Sequence, residues 1–217
     1  RTGFPVDLTM HNDYAGSDKF VATRLLGPTR LRTNTTGAED AQTEHEFDYM
    51  NGSISYANLS GYISWNWKRA PSFFDVITWK VDGTGNQTIN HNLGVIPEMV
   101  IHKNRNDAGG GSGDWNVAHK DLTGWDSANE NDRHLLKLST TAASTQEGYH
   151  RDFTDTSIRL ISNGAGGYTT THNCIAYLFA SLAGVSKVSS YTGNGTSQTI
   201  NAGFTTGARF ILIKRTD

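Results

Sequence analysis

From Val76 to Val81, the positions Val76, Thr78 and Lys80 alternate with Ile77, Trp79 and Val81, and Asp82-Gly83 closes the run with a turn signal. A period of two over five or six residues predicts a strand. Met99-Val100-Ile101-His102 is a β-branched run after Pro97, bounded by a Gly-rich loop from Ala108 to Gly113. Ile158-Arg159-Leu160-Ile161 predicts a strand that stops at Asn163-Gly164, and Cys174 to Phe179 predicts a more deeply buried one. Leu135 to Ala143 could pass for a helix, but Thr140-Thr141 argues for a strand end. Gly83-Thr84-Gly85 and Gly193-Asn194-Gly195 predict hairpin turns, and no helix follows either to make a phosphate loop. Short strands with turn signals between them predict an antiparallel sandwich.

The chain also repeats itself. Val76 to Thr84 followed by Gln87-Thr88-Ile89-Asn90 parallels Val188 to Thr196 followed by Gln198-Thr199-Ile200-Asn201. Met99 to Lys103 parallels Phe210 to Lys214, an offset of 111 residues. Leu31 to Thr36 matches Leu136 to Thr141 at an offset of 105, and Trp65-Asn66-Trp67 matches Tyr177-Leu178-Phe179. Thr9 to Gly16 aligns with Val117 to Gly124, which sets His11 beside His119, and Glu46-Phe47 pairs with Asp152-Phe153. Ordered blocks at a near-constant offset predict an all-β chain of tandem antiparallel β-sandwich units, about 105–111 residues each. The phase predicts residues 1–72 as the C-terminal part of one unit, 73–184 as a complete unit, and 185–217 as the start of a third. Both ends then fall mid-unit, as in a segment of a longer protein.

Composition narrows the function classes. Nineteen Lys and Arg against 21 Asp and Glu leave a net charge of −2, without the basic excess of a nucleic-acid binder. A single cysteine, Cys174, precludes an internal disulfide. No apolar run approaches the roughly 18 residues that a spanning helix needs, and Arg1 to Met10 lacks the core of a signal peptide. Twenty-three glycines with only 4 prolines suit strands joined by tight turns.

Phe73 to Thr78, His91-Asn92-Leu93-Gly94-Val95-Ile96-Pro97, Asp114 to His119, Asn34-Thr35-Thr36, Trp65 to Lys68, Ala176 to Ala180 and Tyr191 to Gly195 together resemble a repeat of marine tailed-phage virion proteins. The second copy departs from it, with Ala202 to Thr206 in place of the His-Asn-Leu-Gly segment. The resemblance implies tandem lectin-like or jelly-roll-like sandwich units in a tail fibre or related appendage. It further implies location on the virion, other virion proteins as partners, a trimeric homo-oligomer, and a host-surface glycan as the ligand class. A capsid-decorating or spacer protein without a ligand is one alternative, and a polysaccharide-degrading tail enzyme is another. No catalytic residue comes with the resemblance.

Three groups of residues carry candidate chemistry. On a strand, Glu44, Glu46 and Asp48 share one face, a spacing that could place a general acid near a nucleophile in a glycoside hydrolase. A solvated, charged strand face accounts for them as well. Asp126, Glu130 and Asp132, with Asn129 and Asn131, form an oxygen-rich loop of the kind that can hold calcium, although the Asp-x-Asp-x-Asp-Gly order is missing. Trp125 beside that loop has no aromatic partner in the other copy and is the candidate sugar contact, because an indole face suits the apolar face of a pyranose. No motif points to a cofactor, and no histidine pair recurs at zinc spacing.

Overall fold

The structure is a computed structural model that describes residues 2–14, 16, 19–42, 45–47, 50–55, 61–106, 113–129, 132–147, 150–161 and 172–217. Among these residues it is all-β. The first part of the chain supplies β1 (Leu8–Asp13), β2 (Lys19–Thr23), β3 (Thr29–Arg32), β4 (Asp40–Ala41), β5 (His45–Glu46), β6 (Ile54–Ser55) and β7 (Tyr62–Trp67). The second supplies β8 (Phe74–Lys80), β9 (Asn86–Asn90), β10 (Met99–Asn104), β11 (Trp115–His119), β12 (Leu136–Lys137), β13 (His150–Arg151), β14 (Ser157–Ile161) and β15 (Asn173–Phe179). Two five-stranded sheets, ordered β4-β3-β2-β1-β7 and β12-β11-β10-β15-β8, join a three-stranded β13-β14-β9 sheet and a two-stranded β5-β6 sheet. Every pairing is antiparallel.

Alternation of side chains across the pleat sets the layers. In β8, β10 and β15, the side chains of Phe74, Val76, Ile101, Ile175 and Tyr177 meet Leu8, Val21, Leu26 and Leu31 of the first part in one apolar cluster. Their neighbours Ile77, Val100, Ala176 and Leu178 point the other way, onto Ile89, Phe153 and Ile158 around the three-stranded sheet. The β12-β11-β10-β15-β8 sheet is therefore covered on both faces, which is why Cys174 to Phe179 is a nearly unbroken apolar run. Phe47, after β5, packs with Val6 and Ala22 on the far side of the first sheet. Each fully buried Leu or Ile adds about 1.5–3 kcal/mol to this stack. The shared cluster crosses the boundary expected at residues 72 and 73.

Sheet order reveals the structural repeat more sharply than the letters do. In β1, His11 faces Ser64 of β7 and Phe20 of β2. In β10, His102 faces Ala176 of β15 and Asn116 of β11. Hence β1, β2, β3 and β7 correspond to β10, β11, β12 and β15, and β8 has no counterpart in the first sheet. His11 is thus equivalent to His102, not to His119, and the match of Thr9–Gly16 with Val117–Gly124 is out of register. Equivalence follows the ladder, and loops of unequal length shift the linear alignment. The pairs Leu31 with Leu136 and Trp65-Trp67 with Tyr177-Phe179 keep their expected places.

Two further expectations change. Gly83-Thr84-Gly85 makes a tight turn, with Gly83 and Gly85 at φ 77° and 78°. It does not close a hairpin, because β8 and β9 lie in different sheets and the turn carries the chain between layers. Residues 185–217 repeat the sequence of β8 to β10, yet they contain no strand and most of their side chains are exposed.

Candidate functional site

The layer between the β12-β11-β10-β15-β8 sheet and the β13-β14-β9 sheet holds a concentration of buried polar side chains. His102 projects inward from β10, Asn116 from β11 and His150 from β13, and Arg133 enters from the loop before β12. The His102 and His150 rings meet edge to face at 4.8 Å, and Trp79 lies 5.1 Å from His102. Burial pushes both imidazoles toward the neutral form. His102 lies well below its ordinary value because it is desolvated and sits near His150 and Lys103. His150 is pulled down to about 4 by desolvation and then by the Arg133 charge.

Beside this cluster is a hollow lined by Trp125, Asp126, Arg133, His134, His150 and Phe153, among others. The connection from β11 to β12 builds its wall. Gly124, at φ 70°, lies so close to the chain ahead of it that a Cβ there would clash with the Asp132 carbonyl. Only glycine allows that approach. His134 N–H donates to the Thr123 carbonyl at 3.0 Å and closes the loop. Asp126 sits in the left-handed region at φ 59°, and its Oδ1 accepts the Phe153 N–H at 3.2 Å, tying the loop to the segment after β13. Trp125 stacks on Phe153 with centroids 4.0 Å apart and planes 8° apart. The hollow has room for a water-sized guest and not for a pyranose.

The expected site residues therefore separate. Trp125 is half-buried at the rim, with one ring face occupied by Phe153. Asp126 serves as the acceptor for Phe153, and Asp132 Oδ2 lies 3.5 Å from Ser127 Oγ. Glu130 lies outside the described residues. Among the described residues, no three of His, Cys, Asp and Glu converge as a ligand set for a metal. Glu46 is exposed on β5, while Glu44 and Asp48 lie outside the described residues. His102, Asn116, Arg133 and His150 were missed by sequence reasoning. The available signal was parity, since His102 shares the inward face of β10 with Val100.

A second set of contacts joins the two large sheets. Trp115, 2% exposed in the shared cluster, donates its Nε1–H to the Arg32 carbonyl at 2.8 Å. Lys103, fully buried, donates its ammonium to the carbonyls of Gly113 at 2.7 Å and Thr36 at 3.0 Å. At the far end of the chain, Lys214 Nζ donates to the Thr140 carbonyl at 2.7 Å and Ser144 N–H to the Thr216 carbonyl at 2.9 Å. The second bond repeats Glu39 N–H on the Arg105 carbonyl in register, and the first parallels Lys103 on Thr36 with its acceptor one residue earlier in the repeat.

Fold and site together define a layered all-β protein of the β-sandwich type, in which one docking contact occurs twice along the chain. The chain belongs to the family described as domain of unknown function (DUF7483), whose model matches residues 2–217. No curated protein and no solved structure matches it.

Proposed function

We propose that the chain is a non-enzymatic structural segment of a phage virion, a tail-fibre or adhesin module that contributes to host-surface attachment through repeated β-sandwich units. The observation that supports this reading best is the repeated docking contact. Lys103 donates to a carbonyl of the segment after β3, and Lys214 donates to a carbonyl of the turn after β12. A module that reuses one contact at successive repeats suits stacking in series, the geometry of a shaft or an array. Weak glycan contacts multiplied over many copies would then supply avidity, with the exposed part of Trp125 as the candidate contact. Other virion proteins and a trimer of this chain are the partners this reading brings.

The test is binding of the purified chain to an array of bacterial surface glycans, with reducing-end release measured in parallel. The expected result is retention without cleavage, weakened at least tenfold by Trp125→Ala. Cleavage abolished by Glu46→Gln would replace the adhesin with a hydrolase. Absence of binding to any glycan would leave a spacer role for the same fold.

A further inference from the structure

The two large sheets differ in one buried place. Phe20 of β2 faces His11, and Asn116 of β11 faces His102, so Phe20 and Asn116 are equivalent. In the first sheet the Phe20 ring fills its place, stacked on His11 at 4.7 Å with the Arg30 guanidinium 4.9 Å from its centre. In the second sheet the smaller Asn116 stands there and lines the hollow. Arg30 opposite Asp40 matches Leu135 opposite Thr145, a register that makes Arg133 the counterpart of Pro28. Around one cavity, the second sheet has an amide in place of a ring and a guanidinium in place of a proline.

Those residues set what the hollow can take. His150, 6% exposed, lines it, and His150 Nε2 is buried with no hydrogen-bond partner among the described residues. Buried polar atoms are ordinarily bonded, so such an atom at the wall of a cavity marks a place for a guest. Arg133, 3% exposed, keeps its charge and repels cations from the same space. Asp126 also lines the hollow, but its Oδ1 is engaged by the Phe153 N–H, and Arg133 is the one charge that shifts His150. Room for a water-sized guest shuts out sulfate, phosphate and organic anions.

We propose that this hollow binds a single halide ion, held between the Arg133 guanidinium and the Nε2–H of His150. Binding selects the imidazole tautomer with its proton on Nε2, and the guanidinium contact is a charge-assisted hydrogen bond in a desolvated place. The ion ties the connection from β11 to β12, which carries Arg133, to β13, which carries His150. Because the site exists only in the folded chain, halide binding stabilises the fold by mass action.

The experiment titrates the full 217-residue chain with sodium chloride against sodium gluconate at constant ionic strength, following chloride NMR line width and thermal unfolding. The unmodified chain should broaden the chloride line in a saturable manner, and its Tm should rise with chloride and not with gluconate. Arg133→Gln should weaken chloride binding by about tenfold or more, the loss of one hydrogen bond to a charged group. Asn116→Phe, which puts the ring of the first sheet into the hollow, should abolish the broadening. Equal Tm values in the two salts with no saturable broadening would assign the hollow to water and overturn the proposal. Broadening that survives both substitutions would overturn it as well, by placing the ion elsewhere. The comparison of salts on unmodified protein decides the matter even if a variant misfolds.

Discussion

Glu39 and Arg105 hold each other from side chain and main chain at once. The Arg105 guanidinium donates Nε–H to Glu39 Oε2 at 2.9 Å and an NH2 proton to Oε1 at 3.1 Å, while Glu39 N–H donates to the Arg105 carbonyl at 2.8 Å. Both side chains are about one-fifth exposed, so the pair is screened less than a surface ion pair. It joins the end of β10 to the segment before β4, the same places that Ser144 and Thr216 join by main chain alone one repeat on.

Glu39→Gln keeps the shape and removes the charge from this clasp. Bidentate Arg–carboxylate pairs exceed ordinary surface pairs, so a loss of about 1–2 kcal/mol is expected in urea unfolding. A double-mutant cycle with Arg105→Gln should return a coupling energy of similar size, and additive single effects would show that the main-chain bond alone carries the joint.

Stability should fall with acid in a defined window. The charged forms of His102 and His150 are disfavoured in the fold, so the unfolded chain takes up protons first, near its ordinary value of 6.5. The histidine contribution is complete above about 6.5 and is lost as pH falls toward about 4. His150 alone accounts for about 3 kcal/mol across that range, taking its folded value of about 4. Urea midpoints measured from neutral pH down to about 4 should slope downward, and His150→Asn should flatten the slope. An unchanged slope in that variant would remove His150 from the account.

Trp115→Phe keeps an aromatic ring in the shared cluster but removes the indole N–H that donates to the Arg32 carbonyl. The lost hydrogen bond and the reduced volume should cost about 2 kcal/mol. Thermal unfolding followed by circular dichroism would detect this as a Tm lowered by several degrees, because the ring sits between the two large sheets.

Ser72 and Gly184 occupy the same turn position at φ 61° and 73°. A side chain there carries a backbone cost that glycine avoids. Ser72→Gly should stabilise the chain by about 0.5–1 kcal/mol, and Gly184→Ala, which has open space around a new Cβ, should destabilise it by a similar amount. Opposite signs at equivalent positions are the outcome to look for in paired melts.

Much of the architecture was legible in the alternation of residues. The strands expected at Val76–Val81, Met99–His102, Ile158–Ile161 and Cys174–Phe179 appear as β8, β10, β14 and β15. Of the candidate site, Trp125 and Asp126 do line the hollow. The inward face of His102 was legible from parity with Val100, but its meeting with Arg133 and His150 was not, because they come from two sheets and a loop far apart in sequence.

The clearest division lies between residues 74–90 and 186–201. Their turns agree in dihedral sign, in the Asp82 or Asn194 cap on the following threonine, and in the glutamine that returns to the strand carbonyl. The sequence alone determines those features, since each bond spans only two to seven residues. Whether the intervening residues become a strand was decided by tertiary structure. Phe74–Lys80 finds the β15 edge and folds onto it, whereas residues 186–192 pair with no strand among the described residues. A ladder needs a partner strand brought from a distance and an apolar face to cover, and neither is a property of the segment itself.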